Sequence, residues 1–160
     1  MQQSTLSSDI LEQQFGATRI KILAQTSKLR IIATEVIETG KILEVSSVEF
    51  LEVPEEFKSI HEQVVNGESM GKAFKQNKVQ FNRSTKGVWQ STVPVLFQNL
   101  FNTTADATIV DVLVTVGPQS IAYARITETY SPNVIWPEAS KENVPTHVLN
   151  SLNQTVATLT

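Results

Sequence analysis

Three β-rich runs follow one another near the start of this chain with almost nothing between them, and that adjacency limits the fold more than any other feature. Arg19 to Ala24 and Leu29 to Glu38 are rich in Ile, Leu and Val and are separated only by the polar turn Gln25 to Lys28. Glu38-Thr39-Gly40-Lys41 supplies the glycine that a tight turn wants, and Ile42 to Val53 returns as a long strand. A second pair, Asp106 to Val116 and Ser120 to Tyr130, is joined at Gly117-Pro118. Strands that follow one another so closely pair antiparallel, because a parallel pair needs a long crossover between its members.

Helical patterns are grouped between and around these hairpins. Ser8 can cap a first helix in which Ile10, Leu11 and Phe15 form the apolar stripe, with Gly16 as its stop. Pro54 opens a second, where Phe57, Ile60 and Val64 recur at helical spacing before Asn66-Gly67. Ser69 can cap a short helix over Met70 to Gln76, and the chain is then polar as far as Lys86. Thr92 with Pro94 starts another around Val95 to Phe101, and Asn143 with Val144-Pro145 begins a last one bearing Val148, Leu149 and Leu152. The expected class is α+β, an antiparallel sheet with helices packed on one side, formed by residues 1–160 as one domain.

Composition removes several functions. A net charge of -3, with 13 basic residues spread thinly, offers no stripe to neutralise phosphates, so nucleic acid is not an expected partner. The absence of cysteine excludes disulfides, thiolate metal sites and cysteine nucleophiles. Neither a secretory leader nor a run of roughly 20 apolar residues is present, so the expectation is a cytoplasmic protein without a membrane partner, monomeric or homodimeric. No Gly-rich phosphate loop exists, so no nucleotide cofactor is expected. His61 and His147 lack a second ligand at helical spacing, read as surface or packing histidines, and predict no metal.

What remains is a charge on a strand. In Ala122 to Tyr130, alternation places Glu128 on a face with Ala122, Ala124 and Ile126, and Tyr123, Arg125 and Thr127 on the other. A carboxylate in so apolar a setting is desolvated, which raises its pKa and suits it to donate a proton or hydrogen bond. Alternatively it lies at a strand end and pairs with a lysine or with water. The segment Asn66-Gly67-Glu68-Ser69-Met70-Gly71-Lys72 can present backbone N–H groups to a carboxylate, or can be an ordinary helix–helix turn.

Taken together, these pieces resemble the chorismate lyase family. Gly67-Glu68-Ser69-Met70-Gly71-Lys72-Ala73-Phe74 matches its Gly-x-x-[Ile/Leu]-Gly-x-x-[Leu/Phe] segment, and Thr127-Glu128-Thr129-Tyr130-Ser131-Pro132 its Thr-Glu-x-[Phe/Tyr]-x-Pro ending. Order and spacing fit from about residue 8 to 132, and 133–160 with its helix has no counterpart. The resemblance implies a cofactor-free lyase that releases 4-hydroxybenzoate and pyruvate from chorismate or acts on a similar small carboxylate. It implies that Glu128 is the catalytic glutamate and that the Met70 and Gly71 amides meet a substrate carboxylate. The family's strand arginine falls at Thr34 or Ile32, with Arg30 on the same face; Arg30 enters the site from further along the strand or faces solvent. A second family arginine is replaced by Ser47, and Arg83 is the other cation placed near the site. The alternatives are a non-catalytic small-molecule-binding domain of the same fold, like the effector-sensing (UTRA-like) domains of some transcription regulators, and an interaction or assembly protein.

Overall fold

The computed structural model describes residues 7–136 and 138–160. Its centre is one antiparallel sheet of six strands: β1 (Thr18–Gln25), β2 (Leu29–Val36), β3 (Ile42–Phe50), β4 (Phe81–Ser91), β5 (Ala107–Val116) and β6 (Ile121–Tyr130). Their order across the sheet is β1-β2-β3-β6-β5-β4, so the N-terminal meander and the C-terminal hairpin meet at β3 and β6. At that seam Glu44 lies opposite Tyr130 and Ser46 opposite Glu128.

Strand β4 is the element that the sequence hid. Phe-Asn-Arg-Ser-Thr-Lys-Gly-Val-Trp-Gln-Ser has little alternation and few branched residues, and it was expected as polar connection up to Lys86. It forms the sheet edge, half exposed, where a polar sequence costs little and the β5 ladder supplies the order. Strand β3 ends earlier than expected, at Phe50 rather than Val53.

Among the described residues five helices cover the sheet: α1 (Ser7–Phe15), α2 (Lys58–Val65), α3 (Met70–Gln76), α4 (Val95–Phe101) and α5 (Thr146–Leu159), with a 3-10 turn at Glu55–Phe57 leading into α2. The Ser69 hydroxyl caps α3 by accepting from the Lys72 N–H. The expected cap at Ser8 lies outside the described side chains.

The antiparallel α+β class is as expected; the helices, expected on one side, divide between two. Leu11 of α1, Ile60 and Val64 of α2 and Phe74 of α3 pack with Val48, Val110, Val112 and Ile126. Phe97 and Phe101 of α4, with Val148 and Leu152 of α5, pack with Ile31, Ala33, Val45 and Ile109. Central strands that are apolar at successive positions need cover on both faces, since each large aliphatic side chain gains about 1.5–3 kcal/mol on burial. The C-terminal segment for which the sequence offered no counterpart supplies part of that second cover, alongside α4.

One register shift alters the expected face. Between Val114 and Thr115 the β5–β6 ladder slips by a residue, opposite Ala124 and Ala122. Tyr123 is thereby buried with Phe50, His61 and Phe74, on the side of α2 and α3, and Ala122 is exposed. Strict alternation had placed them the other way.

Candidate functional site

Glu128 is 3% exposed, near the end of β6 under the face that α1 to α3 cover. Arg83, from edge strand β4, reaches it: Nη2 donates to Glu128 Oε2 at 2.8 Å. The Tyr130 hydroxyl donates to Glu128 Oε1 at 3.0 Å. A second carboxyl joins them from β3, where Glu44 is 2% exposed and accepts from the Thr34 hydroxyl at 3.2 Å. Alternation explains the convergence, because Thr34, Glu44 and Tyr130 sit side by side on β2, β3 and β6.

The electrostatics follow from two carboxyls sharing one guanidinium. Burial, reinforced by the neighbouring Glu128, pushes the Glu44 carboxyl up to about 8, against the opposing pull of the nearby Tyr130 and Thr34 hydroxyls and the charge of Arg83. Burial works against the charged form of Arg83, yet the charge and hydrogen bond of Glu128, aided by Tyr130 and Glu44, hold its pKa above the ordinary value. The sequence left Glu128 open between a desolvated acid and a carboxylate paired at a strand end. In the structure Glu128 has the ion-pair partner Arg83, and the carboxyl that burial pushes up is Glu44.

Of the residues expected at the site, Glu128, Arg83 and, through Glu44, Thr34 come together. Arg30 does not join them. It is buried with its donors committed: Nε to Gln25 Oε1 at 2.7 Å, Nη1 to the Glu68 carbonyl at 3.3 Å, and Nη2 to the Val64 carbonyl. These carbonyls end α2 and begin the link to α3, so Arg30 ties that link to the sheet. Met70 and Gly71 begin α3, where Met70 packs against the core. Gly71 has an ordinary helical setting, in which an added Cβ would meet only the Phe81 ring at 3.6 Å. Ser47 pairs with Thr127 and Ile31 on the other face of the sheet, and the residue across from Glu128 is Ser46.

Glu44 and the role of Tyr130 are what sequence reasoning missed. The available signal was a charge between Leu43 and Val45 in a strand that the hairpin made central. The histidines lie apart: His61 Nδ1 is 2.6 Å from the Tyr123 hydroxyl, and His147 Nε2 is 3.0 Å from Asp111 Oδ2 under α5. Among the described residues no group of three or more His, Asp or Glu side chains is placed to hold a metal, and no helix is long and apolar enough to cross a membrane. An open depression of about 380 Å³ lies elsewhere, between Thr39 to Ile42 of the β2–β3 turn and Leu100 to Asn102 at the end of α4; none of the expected site residues lines it.

No protein-family model matches the chain, and no curated protein does. Among solved structures, PhnF from Mycobacterium smegmatis is similar at 8% identity over 80% of this chain and 61% of that one, with a TM-score of 0.50. A GntR-family transcriptional regulator from Enterococcus faecalis V583 is similar at 8% identity over 78% and 96%, with a TM-score of 0.44. The effector binding domain of the B. subtilis trehalose repressor is similar at 7% identity over 85% and 90%, with a TM-score of 0.39. The fold is chorismate lyase-like. At these identities the likeness is one of fold.

Proposed function

We propose that the chain is a small-molecule-binding domain, with a ligand site built on Glu128, Glu44, Arg83 and Tyr130 and supported by Thr34. The observation that carries this is that, of the buried polar atoms without partners among the described residues, three lie together at that place: Glu44 Oε2, Arg83 Nε and Trp136 Nε1, the last on an indole whose ring meets Tyr130 at 4.9 Å, while Arg125 Nε and Thr129 Oγ1 lie apart from it. An unmet buried donor or acceptor costs about 1–3 kcal/mol, and folded proteins keep few of them. Three around one tyrosine describe a site whose remaining partners come from a ligand.

The expected lyase asks more of these residues than their contacts leave free. A dicarboxylate such as chorismate needs two cations facing it, and burying each uncompensated charge costs several kcal/mol. Arg30 serves backbone carbonyls and Arg83 serves Glu128, while Glu44 adds a carboxyl where a substrate carboxylate would need a cation. In this reading Arg30, Met70 and Gly71 shape the α2–α3 link and do no chemistry.

Thermal unfolding of the protein with a panel of small polar metabolites tests the proposal, beside an incubation with chorismate followed by chromatography. A binder at 100 times its Kd stabilises by about 2.7 kcal/mol, and that gain should shrink in Tyr130→Phe. Chorismate should be recovered intact. Release of 4-hydroxybenzoate and pyruvate, abolished by Glu128→Gln, would instead establish the lyase.

A further inference from the structure

We infer that the ligand of this site is a small amine, whose ammonium group lies against Glu44 Oε2 and the Tyr130–Trp136 aromatic pair. This rests on the binding role proposed above and adds the chemical class. Two buried carboxyls, Glu44 and Glu128, face a single guanidinium, Arg83, so the cluster is one positive charge short of balance. The Oε2 atom of Glu44 is 98% or more shielded with the rest of its residue and has no partner, while Oε1 already takes the Thr34 hydroxyl. Beside it stand Tyr130 and Trp136 with ring centroids 4.9 Å apart at 64°. Carboxylate oxygen and aromatic rings together are the chemistry that holds an ammonium group, through charge and through the ring quadrupole. Arg83 Nε and Trp136 Nε1 are donors, and they would receive an acceptor on the same ligand.

Without the amine, a proton on Glu44 makes up the missing charge. The charged and titratable groups acting on Glu44 are Glu128 and Tyr130 from β6 and Arg83 from β4, and Thr34 from β2 adds a neutral hydroxyl. An arriving ammonium takes over the proton's role, so binding converts the Glu44 acid to carboxylate and releases one proton to solvent. Below the carboxyl's pKa of about 8, affinity for the amine then rises about tenfold per pH unit, because each bound amine displaces one proton.

The experiment is a titration of the full chain in phosphate buffer at several pH values from 6 to 8 with benzylamine, benzyl alcohol and benzoate, which share a ring and differ in charge. Benzylamine should bind best and gain affinity with pH, and benzyl alcohol should bind weakly with no pH trend. In Glu44→Gln, which keeps shape and supplies no charge, the pH trend should vanish and benzylamine should fall to the level of the alcohol. Glu49→Gln, exposed on the same strand, should leave both unchanged. Equal binding of alcohol and amine, or preference for benzoate, would overturn the amine assignment while leaving a ligand site in place. Failure of benzylamine to bind at all would also overturn it, and the metabolite panel would then decide separately whether the site binds anything.

Discussion

Arg83 and Glu128 form a buried ion pair across a strand that lies between theirs, with Nη2 and Oε2 2.8 Å apart. The guanidinium of β4 crosses the face of β5, where Val110, Val112 and Val114 are short enough to let it pass, and ends on β6. An edge strand of weak β character is thus tied by charge to the centre of the sheet, beyond what its ladder to β5 supplies.

Removing one partner of such a pair should be severe. Arg83→Met leaves Glu128 and Glu44 facing each other without a cation and should cost about 3–5 kcal/mol, read as a drop in the urea midpoint. The double variant Arg83→Met/Glu128→Gln removes the stranded charge as well and should recover much of the loss. Additive losses would mean that the two side chains do not act as a pair.

The second carboxyl predicts how stability depends on pH. Glu44 binds its proton more tightly when folded, at about 8 against an ordinary carboxyl value near 4.5, so between these values the folded state holds the extra proton. Stability is therefore fully present below about 4.5 and declines as pH rises toward 8, with a slope of at most about 1.4 kcal/mol per unit. Glu35 acts in another window. The hydrogen bond from Arg19 holds its carboxyl below the ordinary value, so its contribution is present above about 4.5 and lost on acidification. Urea midpoints measured from pH 5 to 8 should fall in the parent and stay nearly level in Glu44→Gln. A parent profile that rises across that range would contradict the assignment.

How much of this was legible depended on whether local pattern or long-range register decided the matter. The Leu29 to Val36 and Ile42 to Phe50 hairpin and the β5–β6 pair were readable because branched residues and turn glycines act over a few residues. Strand β4 was not, because an edge takes its order from β5 and tolerates Asn82, Lys86 and Gly87. Glu128 stood out as a lone charge, but its partner rides on that unread strand, and Glu44 comes beside it only through the β3–β6 seam. Tyr123 was placed on the wrong face because a one-residue bulge inverts every alternation beyond it. Arg30 was left open between entering the site and facing solvent, because its destination, the end of α2, is 34 residues away in sequence.

The placement of Arg30 makes its own prediction. Arg30→Met strands the Glu68 carbonyl, leaves the Val64 carbonyl with its backbone partner Gly67 N–H alone, and should cost about 1–3 kcal/mol. Hydrogen exchange should quicken at the amides of residues 66–72 while those of β3 and β6 keep their protection. Arg30→Lys should restore only part, because one ammonium cannot span two carbonyls and Gln25 as a planar fork does. Loss of ligand binding without any change at 66–72 would return Arg30 to the binding site.

Gly87 on β4 offers a test that leaves the charged cluster alone. The ladder slips between Thr85 and Gly87, and the Trp89 indole folds back over the glycine, so that a Cβ at position 87 would come within 2.2 Å of the ring. No contact that close survives, and either the indole swings out or the strand moves. Because the clashing atoms are the far end of a side chain that is already half-buried, the ring should give way first, and Gly87→Ala should cost about 1–3 kcal/mol. The displaced ring loses its packing against the α4–α5 side, where it sits among the partly buried members of that core. Tryptophan emission should shift to the red, and the added Trp89→Leu change, which removes the obstruction, should recover part of the stability. An alanine variant with unchanged emission and midpoint would show that the indole does not rest on Gly87 in solution.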